Sequence, residues 1–176
     1  MEGATVSSKR SSREYPERPV VGVGGVVIEN GRVLLIRRGG EPLKGQWSIP
    51  GGTLETGETL EEGTRREMEE ETGLRVRVVE MIEVFERIFR EDGAPRSAGA
   101  NAEPPRAAGR PRYHFVILDY LCERTEGEAR AGGDVTDVVW AAEHELGPYQ
   151  LTPTATRIIK KAFAMAAARG GSRAQP

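Results

Sequence analysis

Cysteine is almost missing from this chain of 176 residues, where Cys122 stands alone. A single thiol cannot close an internal disulfide, so a disulfide-stapled secreted scaffold is excluded and a reducing, cytoplasmic setting is expected. Long apolar runs are missing as well. None approaches the roughly 18 residues that a membrane-spanning helix needs, and the N-terminus has no signal-peptide core, so no membrane partner is expected. Charge of one sign is not in excess either. The net charge is −2 and the pI about 5.9, which gives no global basic field to attract nucleic acid. No internal repeat is visible, and the length suits one domain that buries roughly 70% of its unfolded surface.

What the chain does have is a dense acidic stretch. From Glu58 to Gly73 it carries Glu58, Glu61, Glu62, Glu67, Glu69, Glu70 and Glu71 against only Arg65 and Arg66. The stretch reads as one helix. Thr59 is a cap with Glu62 three places on, as in a capping box, and Gly73 is a left-handed stop. Spacings of three and four residues bring Glu67, Glu70 and Glu71 to one face. At about 6 Å and an effective dielectric of roughly 20, each such pair repels by about 2 to 3 kcal/mol. A hard divalent cation, Mg²⁺ or Mn²⁺, removes that repulsion by taking oxygen ligands together with substrate phosphates. Gly51-Gly52 precedes the helix, where a tight turn brings backbone carbonyls towards the same ion. Arg66 neighbours Glu70 on the helical wheel and can hold that carboxylate in a fork-like pair.

The spacing Gly52-x5-Glu58-x7-Arg66-Glu67-Met68-x-Glu70-Glu71-x-Gly73-Leu74 resembles the signature of the Nudix hydrolases, with every fixed position filled. Gly63 departs from it, since alanine is more usual there; a mid-helix glycine costs about 1 kcal/mol. The resemblance implies water-driven cleavage of a P–O–P bond in a nucleoside diphosphate joined to another group. It implies Glu67, Glu70 and Glu71 as metal ligands, with a carbonyl from the Gly51-Gly52 turn, assigned to Gly52. Arg66 then orients a glutamate, Glu58 stabilises the loop-to-helix junction, and Glu67 or Glu70 activates the water. A carboxylate from outside the helix can also act as base in this family, and Asp92, Glu103, Asp134 and Glu143 are the candidates. Arg37, Trp47 and Gly51 are the candidates for substrate contact, with Trp47 weighed as a base-stacking platform against the commoner core or turn role. Arg37 and Arg38 alternate on their strand, so at most one faces phosphate.

The rest of the chain supplies a sheet. Val20 to Ile28 and Val33 to Arg38 flank Asn30-Gly31, a hairpin signal. Gly22-Val23-Gly24-Gly25 lies in the first run but is no dinucleotide fingerprint, because Val27 occupies the third glycine position and no helix follows. Close strand packing accounts for these glycines. Trp47 to Ile49 is a short strand. Residues 75 to 90 form another with a bulge, and Tyr113 to Cys122 reads as a strand buried on both faces, with His114 a structural member. Val135 to Trp140 is a further strand. Thr152-Pro153 starts a last helix whose stripe of Ala155, Ile158, Ile159, Ala162, Phe163 and Ala166 covers the sheet face away from the acidic helix.

The expected organisation is a polar tail over residues 1–18, one domain over 19–169 with a mobile Pro- and Gly-rich loop at 92–111, and a tail at 170–176. The expected fold is α/β, an α/β/α sandwich with a mixed sheet between helices, which the resemblance implies too. The partner is a small-molecule nucleotide diphosphate, with a homodimer as the default assembly. ADP-ribose or a related nucleotide sugar leads, since Gly39 to Gly45 before Trp47 looks like family members with that activity. A nucleoside triphosphate pyrophosphatase is the second reading and a non-catalytic nucleotide sensor the third.

Overall fold

The computed structural model describes residues 13–90 and 111–172. In chain order these form β1 (Val20–Glu29), β2 (Arg32–Arg38), β3 (Trp47–Ser48), β4 (Gly51–Thr53), α1 (Leu60–Thr72), β5 (Arg75–Phe89), β6 (Tyr113–Glu126), β7 (Val135–Ala142), two short 3₁₀ turns and α2 (Pro153–Ser172). The strands make one mixed sheet in the order β3-β2-β1-β6-β5, with β4 paired to β1 and β7 to β2. Among the described strands only the β1–β6 pairing is parallel, running from Val20 opposite Phe115 to Val27 opposite Cys122.

Local signals set these elements. Asn30 and Gly31 both adopt positive φ, 50° and 72°, as a two-residue hairpin turn requires. Thr59 Oγ1 accepts from the Glu62 amide while the Glu62 carboxylate accepts from the Thr59 amide, so the expected capping box is present. Gly73 ends the helix at φ 69°. The bulges in β5 fall between Val78 and Glu80 and between Met81 and Glu83. At the start of α2 the Thr152 hydroxyl accepts from the Ala155 amide.

Two cores lie on opposite faces of the sheet. Under α1, Met68 and Leu74 pack on Val27, Leu34, Val76, Tyr120 and Cys122. Under α2, Ile158, Ile159 and Ala162 pack on Val26, Val33, Leu35 and Leu121. Alternation along β1 separates them, sending Val27 to one layer and Val26 to the other. The sandwich expected from the sequence is therefore the observed fold, and no helix among the described residues is long and apolar enough to cross a membrane. Cys122 is a buried free thiol, as its strand position implied.

The ends of the domain differ from expectation. Residues 13–18 were assigned to a polar tail, yet the Tyr15 amide bonds to the Arg112 carbonyl and Glu14 accepts from Arg112 and Tyr113. Helix α2 continues to Ser172, past the expected boundary at 169. Residues 1–12, the loop segment 91–110 and residues 173–176 lie outside the described residues.

The β1 glycines do serve close packing. A Cβ on Gly25 would stand 2.6 Å from the Met68 sulfur and 3.3 Å from Cys122 Sγ, so α1 rests directly on the β1 backbone. Gly25→Ala is expected to lower stability by about 1 to 3 kcal/mol through overpacking, read as a shifted urea or thermal midpoint.

Candidate functional site

The site forms where β4 meets α1. Gly51 has φ 151°, and a Cβ there would lie 2.3 Å from the Val23 carbonyl oxygen, so only glycine fits. Its amide donates to Glu71 Oε2 at 2.7 Å, tying the turn to the last glutamate of α1. Gly52 gives room of another kind. A Cβ on it would stand 2.4 Å from Glu67 Oε1, so the Glu67 carboxylate lies flat against the turn.

Arg66 is the hub of the charged side chains. Its Nε reaches Glu58 at 2.6 Å and its Nη2 the same carboxylate at 3.0 Å. Its Nη1 serves Glu67 at 2.8 Å and Glu70 at 3.3 Å, and Nη2 also donates to the Thr53 carbonyl at 3.0 Å. Glu58 in turn accepts from the Glu55 amide, closing the loop before α1. One guanidinium thus joins β4, that loop and the acidic face.

The carboxylates are not equivalent. The hydrogen bond from Arg66 holds Glu58 down to about 2. Burial pushes Glu67 up against the pull of Arg66. Glu71 is only 5% exposed, and burial raises it to about 8 against the Gly51 amide bond, with the Glu67 charge adding to the rise. Glu70 is half-exposed.

Glu67, Glu70, Glu71, Arg66 and Gly51 line one polar cavity, joined by Glu55 and Asp134. Among the described residues, no three His, Cys, Asp or Glu side chains are gathered tightly enough to form a ready-made cation cage. Arg66 and the Gly51 amide hold oxygens that an ion would take. The donor chemistry nevertheless suits Mg²⁺ or Mn²⁺. Every donor is a hard oxygen, one guanidinium faces Glu58, Glu67 and Glu70 together, and Glu71 is buried with a single amide partner.

A second cavity opens on the α2 face of the sheet. Phe85, Phe89, Phe115 and Ile117 wall it, and the charged side chains Arg87 and Asp119 reach into it. Asp119 is 4% exposed, lies over Gly24, and among the described residues makes no side-chain hydrogen bond. Burial pushes it up to about 7, with Arg87 pulling it down and Glu83 adding to the rise. Gly51, Gly52, Thr53, Arg13 and Arg38 line both cavities. The two therefore meet along the β4 backbone.

Three assignments made from sequence need correction. Arg38, not Arg37, faces the cavities; Arg37 points to the other side of β2, where its Nε donates to the Gly45 carbonyl. Trp47 lines neither cavity and packs edge-on to Tyr149 at 5.2 Å, on the α2 core. Gly52 is not the residue whose carbonyl faces the helix. The N–H and C=O of a strand residue point to the same side, and that side alternates along the strand. The Gly51 amide and the Thr53 carbonyl point to α1, so the Gly52 peptide between them turns to its register partner Val23. The carbonyl on the helix side belongs to Gly51.

Among the off-helix bases, Asp134 lines the polar cavity and Glu143 does not, while Asp92 and Glu103 lie outside the described residues. His114 lines neither cavity, and its buried Nε2 has no hydrogen-bond partner among the described residues. Sequence reasoning missed Asp119, Arg87, Glu55 and Arg13. A signal existed for the first two. Asp119 is the one acidic residue in the apolar run of β6, and Arg87 alternates with Phe85 and Phe89 on β5.

Comparison with known proteins gives concordant relatives. Residues 18–162 match the NUDIX domain family. An ADP-ribose pyrophosphatase of Methanocaldococcus jannaschii is 31% identical over 134 residues, 75% of this chain and 68% of that protein. A MutT-like protein of Streptomyces ambofaciens is 33% identical over 140 residues, 79% and 74% of the two chains. The crystal structure of a MutT NUDIX hydrolase from Burkholderia pseudomallei superposes with a TM-score of 0.66 at 28% identity, covering 82% of this chain and 98% of the other.

Asp119 gives a pH test of this geometry. A carboxyl raised from 3.8 to about 7 by folding contributes its stability in full below its ordinary value and loses it as the pH rises through about 7. Asp119→Asn removes the titration. Melting wild type and variant in EDTA from pH 4 to pH 9 is expected to show the variant gaining on wild type steadily from about pH 4 to about pH 7, with the difference level above that.

Proposed function

The chain belongs to the Nudix family, a hydrolase family, and from that premise we propose that it is a Mg²⁺- or Mn²⁺-dependent diphosphatase acting on a soluble nucleotide derivative, with ADP-ribose or a related nucleotide sugar as its substrate. One observation carries this reading. An acidic, oxygen-lined cavity and an aromatic-walled cavity share the Gly51–Thr53 backbone and Arg38 as a common wall. A ligand with a ring system at one end and a diphosphate in the middle fits that pairing, with the ring between Phe89 and Phe115 and the phosphates along β4. The name of the M. jannaschii relative supports ADP-ribose as the substrate class.

In this reading Glu67, Glu70, Glu71 and the Gly51 carbonyl hold the cation. A bound divalent ion supplies charge neutralisation on the bridging phosphates and on the leaving oxygen. The protein's own groups do the rest. Arg66 fixes Glu67, which lies against the turn, and more weakly holds Glu70, so little reorganisation is left for the moment of reaction. Arg38 stands across the cavity as a charge partner for phosphate oxygens. Glu67 is the proton acceptor for the attacking water, and Asp134 is the off-helix carboxylate at the same cavity.

The test is a panel of nucleotide derivatives with Mg²⁺ or Mn²⁺ and products identified by mass. ADP-ribose should give AMP plus ribose 5-phosphate. A monophosphate plus pyrophosphate from a triphosphate would instead favour nucleotide-pool cleansing. Tight ADP-ribose binding with no product after prolonged incubation would favour a sensor. Glu70→Gln and Glu71→Gln are each expected to lower turnover by about a hundredfold or more with the melting transition retained. Unchanged metal-dependent turnover in both would refute the metal assignment.

A further inference from the structure

The segment before β1 is built into the site rather than trailing from it. Glu14 is held at the end of the β5–β6 pair. It accepts from Arg112 Nε at 3.2 Å and Nη2 at 2.8 Å, and from the Tyr113 hydroxyl at 2.6 Å. Beside it the Tyr15 amide donates to the Arg112 carbonyl at 2.7 Å, and the Arg112 amide donates to the Phe89 carbonyl at 2.9 Å. The segment is thus fastened to the strand ends that carry Phe89 and Phe115. Residue 13 comes next along the chain. The residue is half-buried and lines both cavities, and among the described residues it makes no hydrogen bond or ion pair, while its charge pulls on Glu67. Two positive side chains stand along the wall that the cavities share. Arg38 spends its Nε on the Pro42 carbonyl at 3.2 Å, whereas Arg13 makes no such bond among the described residues.

We propose that Arg13 is a substrate-binding residue whose guanidinium pairs with non-bridging phosphate oxygens at the junction of the two cavities, and that Glu14 is a positioning residue that anchors it there. A guanidinium fork matches two phosphate oxygens, and its charge offsets the acidic face without displacing a cation from the carboxylates. The inference rests on the diphosphatase reading for its ligand class. It assigns a role in recognition to a segment whose composition alone reads as a solvated tail.

The experiment compares Arg13→Ala, Arg13→Lys, Glu14→Ala and the double variant Arg13→Ala/Glu14→Ala on the best substrate of the panel. Arg13→Ala should raise KM about tenfold or more with kcat within roughly threefold, the size expected for one lost charge-assisted contact. Arg13→Lys should fall between, because it keeps the charge and loses the fork. Glu14→Ala should raise KM alone but add nothing in the Arg13→Ala background, a non-additivity that a merely structural role does not produce. An unchanged KM in Arg13→Ala, or full additivity of the two single changes, overturns the proposal. If the wild type turns over nothing on the panel, the diphosphatase reading fails separately. Calorimetric titration with ADP and Mg²⁺ then decides: about fivefold or more weaker binding by Arg13→Ala supports the inference. Equal affinities, or no ADP binding by wild type, sink it.

Discussion

Everything at this site depends on how Arg66 is shared. Its donors serve two carboxylates strongly, a third more weakly, and one backbone carbonyl, and those acceptors come from three separate pieces of chain. The side chains of Arg66, Glu58 and Glu67 are only 22%, 20% and 12% exposed, so among these contacts only the one to Glu70 is a surface pair worth little. Jointly they set the angle at which α1 leaves its loop and how closely it approaches β4. The acidic face is tolerable because this cation lies across it, and it remains reactive because one cation is too few.

The second constraint is thickness. Gly24, Gly25, Gly51 and Gly52 make the middle of the sheet almost bare backbone where β1 and β4 pair. Met68 rests on one side of that thin patch and Asp119 lies over the other. The acidic helix belongs to one layer and the aromatic cavity to the other, yet both reach the same few peptide units. A ligand can therefore run along β4 from one chemistry to the other. Substitution of Gly51 or Gly52 bears on both sides at once, as the positive φ of Gly51 and the Glu67 carboxylate against Gly52 make plain.

Legibility from sequence followed the range of the interactions involved. The capping box, the Asn30-Gly31 turn and the spacing of the three glutamates are local, set by neighbours within a few residues, and could be read directly. The two-layer burial followed from alternation. Failures came where the side of a strand had to be chosen without knowing its partner. Arg37 and Arg38 were recognised as alternatives, but only pairing with β3 and β7 decides which one faces the site. Gly52 was preferred to Gly51 for the same reason, since the direction of its carbonyl is set by Val23. Arg13 and Asp119 were invisible in another way. Their meaning comes from residues about a hundred positions away, at Arg112 and Gly24.

The lone parallel pairing has a consequence for how the chain is made. Val20 finds its neighbour in Phe115, so the middle strand of the sheet waits on one side until most of the polypeptide has been synthesised. Until then the β1–β2 hairpin presents an apolar, glycine-rich edge, a surface that recruits foreign strands. Sheet closure should accordingly be slow, governed by loop closure over about a hundred residues rather than by the early acidic helix. The bonds from Glu14 to Arg112 and Tyr113 close the same long circuit, so the N-terminal segment comes to rest only when the last central strand has docked.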